Sequence, residues 1–481
     1  MIPFDRSKFD YTEKEALEAA ATGRLLSAEI EFNRRCNYRC PYCYAAGEYE
    51  GRMLTAECAE SVIRQAAELG ARKIVVLGGE PLLCRELESR IRLITDLGMG
   101  AEIFTNGALM TEELAKFFYE HGCRVVVKLN TLRADVQEKL TGVPHALDKA
   151  LRAIDLLQKA GFDERMLAAS SVICSENESE VVELWKYLRR HRIKPYLEIM
   201  TPQGRLLENR QLLVDPRRLR EIFYTIAEYD RAHGYEWEPQ PPLVGAKCLR
   251  HQHSCVINAG GDVTPCVGVT VTIGNVYERK LADILMNSRV MRNLKDFRRM
   301  IKGPCRSCEK AESCYGCRGA AYQLTGDYLA SDPLCWKNSG ELLDRPPSLP
   351  TDAQQWLPHR PPITMIERLV EFGEWSAAEA GITPDNRFLR DGVLDAEAIP
   401  ELVAQTCAVI NGFEEDNHHI EGMLTGMRNV EFLAPIRSGD KLRIEVRENA
   451  RIDNYHTLDF RVYRAERELC VRGELSICRI D

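Results

Sequence analysis

Between residues 26 and 235 the chain alternates short aliphatic, β-branched runs with longer stretches whose apolar positions recur at helical spacing. The runs Leu26–Phe32, Lys73–Leu77, Ala101–Thr105, Arg124–Asn130, Met166–Ile173 and Pro195–Met200 predict strands. Thr55–Leu69 and Thr111–His121 are examples of the helices predicted between them. Thr111 is placed to cap its helix, Glu112 and Glu113 follow in the first turn, and Gly122 stands where a closing glycine belongs. Regular alternation of strand and helix implies βαβ units and a parallel sheet. Six units make a partial (β/α)6 TIM-like barrel, an α/β fold, over residues 1–239, with its chemistry at the C-terminal ends of the strands.

The pattern fails over 240–338, where short segments rich in Cys, Gly and Pro cannot bury a large core and need another kind of cross-link. Residues 339–356 are polar and proline-rich, as a linker is. Periodicity returns over 357–481, with a predicted helix at Pro400–Gly412 and alternating runs at Lys441–Val446, Thr457–Tyr463 and Glu468–Ile477. The chain has no internal repeat.

A net charge of -8 and the lack of a strongly basic stretch argue against a nucleic-acid partner. The cations of Arg289–Lys302, interrupted by Asp296, read as a solvated helix face. The N-terminus lacks the apolar core of a secretory signal, and no apolar run is long enough to span a membrane, so a cytoplasmic location is expected. The 18 cysteines are then better explained by metal ligation or catalysis than by disulfides.

Eleven of them fall in three groups, at 36–43, 248–266 and 305–335. The first is Cys36-x3-Cys40-x2-Cys43, immediately after the first predicted strand. Three thiolates can hold three irons of a [4Fe–4S] cube and leave the fourth open to a reactant. Structural zinc is the alternative, although it prefers four closed ligands. The second strand runs into Gly78-Gly79-Glu80-Pro81, where glycines let the backbone approach a ligand and the glutamate can accept from an ammonium group. The third strand ends in Thr105-Asn106-Gly107 and the fourth in Lys128-Leu129-Asn130. Polar groups at successive strand ends converge on one site.

Taken together, the CxxxCxxC signature, the GGE turn and the TNG segment resemble the radical S-adenosylmethionine (radical SAM) superfamily over residues 26–235. The resemblance implies that Cys36, Cys40 and Cys43 hold a cluster whose free iron chelates S-adenosylmethionine. Gly78, Gly79 and Glu80 would line the methionyl ammonium and Tyr42 would lie near the adenine. Asn106, Lys128, Asn130 and Ser171 lie where further cofactor contacts are expected. One electron, from a flavodoxin or ferredoxin, would yield a 5′-deoxyadenosyl radical that abstracts hydrogen from a substrate. The later cysteines resemble the SPASM extension, which carries two auxiliary clusters and brings the total to three [4Fe–4S] clusters. By that analogy Cys248, Cys255, Cys266 and Cys317 bind the first, and Cys305, Cys308, Cys314 and Cys335 the second. Val267 stands where sulfatase-maturing relatives carry a basic aspartate, which leaves Asp262, Glu198 and Lys128 as candidate bases by location.

Residues 357–481 resemble α+β hot-dog proteins of the acyl-carrier-protein dehydratase type, through LPHRPPITMIERL, DGVLDAEAIPELVAQTCAVINGF and GMRNVEFLAPIRSGDKLRIEV. Glu401 fits the acid of the central helix and is one catalytic candidate, but Arg387 occupies the usual histidine position. His359 is the other catalytic candidate, although in this motif it more often serves structure, and an active dehydratase is the alternative to a binding domain. The expectation is a domain that binds an acyl-phosphopantetheine arm and pairs into a homodimer. The fusion points to a radical enzyme acting on an acyl group delivered by an acyl carrier protein or coenzyme A. The alternatives are a SPASM peptide-modifying enzyme and a non-catalytic assembly factor.

Overall fold

Six parallel strands appear in sequence order: β1 (Ser27–Glu31), β2 (Lys73–Leu77), β3 (Gly100–Thr105), β4 (Arg124–Lys128), β5 (Leu167–Ile173) and β6 (Lys194–Ile199). In this computed structural model they sit within one or two residues of the runs read from the pattern. The described residues are 8–45, 53–338, 349–357, 359, 362–415, 421–465 and 467–480. Every residue of β1 and β5 is buried, as parallel strands covered on both faces require. Thr111 Oγ1 accepts from Leu114 N over 3.2 Å and Gly122 has φ 61°, so the helix Glu112–Glu120 is capped at both ends as expected.

The sheet does not stop at β1. β7 (Val256–Ile257) pairs parallel to it, with Glu29 opposite Val256, and β8 (Asp262–Thr264) and β9 (Gly274–Asn275) continue antiparallel. The cysteine-rich segment is thus attached through backbone hydrogen bonds as well as any cluster. Strands of two or three residues carry no readable period, so the sequence could not show this.

The structure divides into two units. The first is Met1–Met286, Ser307–Gln323 and Ser331–Leu343; the second is Asn287–Arg306, Leu324–Ala330 and Asp344–Asp481. Most of the predicted linker, residues 339–348, lies outside the described residues. The second unit is a seven-stranded antiparallel sheet built from β10 (Thr351–Asp352), β11 (Arg368–Glu371), β12 (Ser376–Gly381), β15 (Glu421–Phe432), β16 (Lys441–Ile452), β17 (Tyr455–Arg464) and β18 (Glu468–Ile480). A small hairpin, β13 (Leu389–Arg390) with β14 (Val393–Leu394), stands beside it. Leu442, Ile444, Phe460, Val462 and Leu475 are buried, as are Leu402, Val403, Val409 and Ile410 of the helix Ala398–Glu415 that the sheet covers. This is the hot-dog arrangement.

The cationic run 289–302 is not simply a solvated face. Arg289 is buried and pairs with Glu414, Arg292 pairs with Glu448, and Ser288 Oγ donates to Glu374 over 2.9 Å. These acidic partners lie more than 80 positions away, beyond the reach of a helical-face argument. No helix among the described residues is long and apolar enough to cross a membrane.

Candidate active site

The loop carrying Cys36 is fixed before the cysteine is reached. Gly79 N donates to Asn33 O and Glu80 N to Arg35 O, each over 2.8 Å, so the turn after β2 is laced to the loop after β1. A Cβ on Gly78 would stand 2.3 Å from Asn33 O, and one on Gly79 2.1 Å from Arg35 O. Gly78 also has φ 128°. Only glycine permits this approach. The close contact is of backbone with backbone, where the sequence suggested backbone with ligand; both glycines still line the cavity.

Glu80 is 1% exposed. Its carboxylate accepts from Leu82 N over 3.0 Å, Thr105 Oγ1 over 2.6 Å and Asn106 N over 2.8 Å. Burial raises its pKa, and the three donors oppose that rise. Glu80 therefore ties β2 to β3 and sets the turn. Asn106 Nδ2 in turn donates to Asn37 Oδ1 over 2.7 Å, inside the cysteine loop.

A cavity of about 260 Å³ opens at these strand ends. Cys36, Cys40, Cys43, Tyr42, Gly78, Gly79, Glu80, Asn106 and Lys128 all line it. Burial lowers the pKa of Lys128, whose ammonium lies 5.2 Å from the Tyr42 ring centre. Asn130 and Ser171 do not line it. Asn130 Nδ2 donates to the Tyr42 hydroxyl over 2.7 Å, which makes Asn130 a positioning residue. Ser171 is buried and donates to Leu129 O, while its neighbour Ser170 lines the cavity. Side chains alternate along β5, so a one-residue error in reading the strand changes the face.

The cavity also holds groups that the motifs did not flag. Arg250 Nη2 donates to the Tyr196 hydroxyl over 2.6 Å, and Arg250 Nε lies 3.5 Å from Glu29 Oε1. Burial raises the pKa of Glu29 despite that neighbour, and Glu29 followed by Tyr196 holds Arg250 far above its ordinary value. A glutamate in the middle of a buried strand was the available signal. Of the candidate bases, Lys128 and Glu198 line the cavity, as does Val267. Asp262 does not; it accepts from Asn258 Nδ2 over 3.2 Å and Asn275 Nδ2 over 2.9 Å, as a turn residue.

Among the described residues, no three His, Cys, Asp or Glu side chains are grouped to hold a single metal ion. An iron–sulfur cube asks for a wider set, since each thiolate binds a different iron. Burial first, then the charge of Cys43, pushes the Cys40 thiol up to about 12. Three thiols facing one cavity with that mutual repulsion suit a cationic cluster that takes them as thiolates. The residues fit the group.

Cys248, Cys266 and Cys317 feel one another's charge. The Tyr315 hydroxyl approaches Cys248 Sγ at 3.9 Å and Val269 N donates to Cys266 Sγ over 3.3 Å. A Cβ on Gly268 would lie 2.7 Å from Gly319 Cα, so two glycines bring the segments after Cys266 and Cys317 together. Cys255 is fully buried just before β7, and its carbonyl accepts from Glu29 N over 2.9 Å. Cys308, Cys314 and Cys335 belong to the first unit and Cys305 to the second.

In the second unit, His359 Nε2 lies 3.6 Å from Glu401 Oε1, both partly exposed. Gln405 Nε2 donates to Glu401 Oε1 over 2.7 Å and to Ile363 O over 2.9 Å, and Met365 N donates to Gln405 Oε1 over 2.8 Å. Those bonds hold the segment after His359 against the first turns of the central helix. The histidine expected to be structural therefore faces the acid, while Arg387 is exposed.

Three family models match: the radical SAM superfamily over residues 30–188, an iron–sulfur cluster-binding (SPASM) domain over 248–317, and the ApeP dehydratase over 351–481. An AdoMet-dependent heme synthase of Methanosarcina barkeri is 27% identical over 351 residues, covering 66% of this chain and 97% of that protein. A heme synthase of Oleidesulfovibrio alaskensis is 24% identical over 343 residues, covering 65% and 87%. Among solved structures, Streptococcus suis SuiB bound to S-adenosylmethionine shares the fold, with a TM-score of 0.53 at 18% identity, covering 65% of this chain and 77% of SuiB.

Proposed function

We propose that this chain, a radical SAM enzyme with a SPASM domain and an ApeP-like hot-dog domain, abstracts hydrogen from an acyl group presented as a thioester. The observation that carries the radical step is one cavity lined by Cys36, Cys40 and Cys43 together with the Gly78–Glu80 turn and Lys128. Cys36, Cys40 and Cys43 would hold an iron–sulfur cluster, which would supply the electron for cleavage of S-adenosylmethionine. The chain's own residues do the rest. Glu80 fixes the turn, Asn130 orients Tyr42, and Lys128, Glu198 and Arg250 offer charge to cofactor and substrate. Two auxiliary clusters complete the set of three, the first held by Cys248, Cys255, Cys266 and Cys317.

The acyl thioester reading rests on fusion to the hot-dog domain, since joining two modules raises the effective concentration of one site's product at the other. His359 and Glu401 give that domain an acid–base pair within one proton-transfer distance once a substrate or water closes the gap. Homodimerisation through this domain, an electron from flavodoxin or ferredoxin, and an acyl carrier protein or coenzyme A as donor belong to the same proposal.

The heme synthases favour a second reading, because the match spans nearly all of the archaeal relative. In it the barrel acts on a heme precursor, with Lys128 and Arg250 facing the substrate's carboxylates.

Anaerobic formation of 5′-deoxyadenosine with panels of acyl thioesters, porphyrins and peptides separates the readings. Stimulation with deuterium transfer from an acyl thioester is expected. Stimulation by porphyrin alone or by peptide alone would overturn the thioester reading.

A further inference from the structure

Thr201, two residues beyond β6, lines the reaction cavity, and its Oγ1 lies 3.9 Å from Cys317 Sγ. Val267, next in the chain after Cys266, lines the same cavity. One threonine side chain thus touches both the cavity and the first auxiliary group of cysteines.

Its placement follows from what packs around it. Threonine is branched at Cβ and stiff about χ1. A Cβ on Gly268 would lie 3.3 Å from Thr201 Cγ2, and one on Gly319 3.4 Å from it. The methyl therefore sits against two glycines, and with χ1 held there Oγ1 is presented to Cys317. The cysteine is fixed in turn, because its N donates to Asp332 Oδ2 over 2.7 Å and Asp332 is fully buried. Other donors aim at the same sulfurs: Ala320 N donates to Cys317 Sγ over 3.4 Å and Val269 N to Cys266 Sγ over 3.3 Å. A thiol sulfur is a weak acceptor, whereas a thiolate makes charge-assisted bonds. Donors converging on these sulfurs suit ligation as thiolates, so the residues fit an iron–sulfur cluster.

A sulfur bound to iron carries no proton, so the hydroxyl must be the donor in its contact with Cys317. Hydrogen bonds to cluster sulfurs help set the reduction potential. They favour the reduced form, which holds the greater negative charge on its sulfurs. We propose that Thr201 is a positioning residue for the first auxiliary cluster: its hydroxyl donates to the Cys317 sulfur and raises that cluster's reduction potential at the wall of the reaction cavity. The proposal rests on the reading that Cys248, Cys255, Cys266 and Cys317 hold that cluster.

The test is a redox titration of the reconstituted full-length chain, followed by electron paramagnetic resonance. Cys266→Ala with Cys317→Ala identifies the signal, and should lose about four irons with one reduced-cluster spectrum. Thr201→Val keeps the branched shape and removes the hydroxyl. It should keep wild-type iron and move the midpoint of that signal to lower potential. The expected shift is a tenfold change in the equilibrium constant of one-electron reduction, about 59 mV. Thr201→Ser, which keeps the hydroxyl, should return the midpoint towards the wild-type value. If Thr201→Val fails to load iron, Thr201→Ala serves in its place. A wild-type midpoint in the loaded variant without the hydroxyl, or the same lowered midpoint in Thr201→Ser, would overturn the role of Thr201 and leave the cluster assignment standing. Wild-type iron in the double cysteine variant would overturn the assignment, and the proposal with it.

Discussion

Thr105 Oγ1 donates to Glu80 Oε1 over 2.6 Å, and that bond joins the C-terminal ends of β2 and β3 beneath the cofactor turn. Glu80→Ala would leave three donors without their acceptor, at a cost of about 1–3 kcal/mol for each that stays buried. The expected outcome is a dissociation constant for S-adenosylmethionine raised more than ~tenfold and a lower melting temperature. Calorimetry on the reconstituted protein checks it; unchanged affinity would show that the turn does not depend on this carboxylate.

Gly79→Ala tests the backbone contact. Its Cβ meets Arg35 O at 2.1 Å, so the loop bearing Cys36 must move. Cleavage of S-adenosylmethionine should be lost together with the iron of one cluster. The Cys36→Ala, Cys40→Ala, Cys43→Ala triple variant should show the same iron loss with the auxiliary clusters kept. Iron analysis and electron paramagnetic resonance read both, and wild-type iron of about twelve per chain is expected from three cubes.

Glu448 links pH to the stability of the second unit. Burial acts against its charge, but the hydrogen bond from His456 and the charges of Arg289 and Arg292 outweigh burial and hold it at about 2 instead of 4.5. A depressed folded value means stability that is fully present above pH 4.5 and lost as pH falls from there towards 2. The amount at neutral pH is on the order of 3 kcal/mol. Thermal unfolding followed from pH 6 downward should show this slope, and Glu448→Gln should flatten it.

β15 is the outer strand of its sheet, 12 residues long, and its Met423 and Phe432, with Leu433 just past its end, are more than half exposed. A long apolar edge is a template for pairing with another chain. The hot-dog unit is expected to dimerise there, and Phe432→Glu should shift light-scattering mass from dimer to monomer. A wild-type monomer at micromolar concentration would refute the expectation.

His359→Ala or Glu401→Gln should lower hydration of an enoyl thioester by roughly 10²-fold or more if the pair exchanges protons with the substrate. A rate assay with the purified chain decides between catalysis and mere binding of the acyl arm. Equal loss in thioester affinity and no loss in turnover would assign the pair to binding.

By itself the sequence determined the strand order of the barrel, the capped helices, the grouping of the cysteines and the three family matches' positions. Those features are local: a period of two or 3.6 residues, a cap, or a fixed cysteine spacing is written in neighbouring positions. It also placed Glu401 and His359 as separate candidates. Tertiary structure alone decided that His359 faces Glu401, that Ser170 and not Ser171 enters the cavity, and that Arg250 meets Glu29. It also turned a charge run read as solvent-facing into one whose Arg289 and Arg292 pair with Glu414 and Glu448. Each of these depends on side-chain direction or on partners far apart along the chain. Hydrophobic patterning fixes which face of an element is buried, but not which distant charge it meets there.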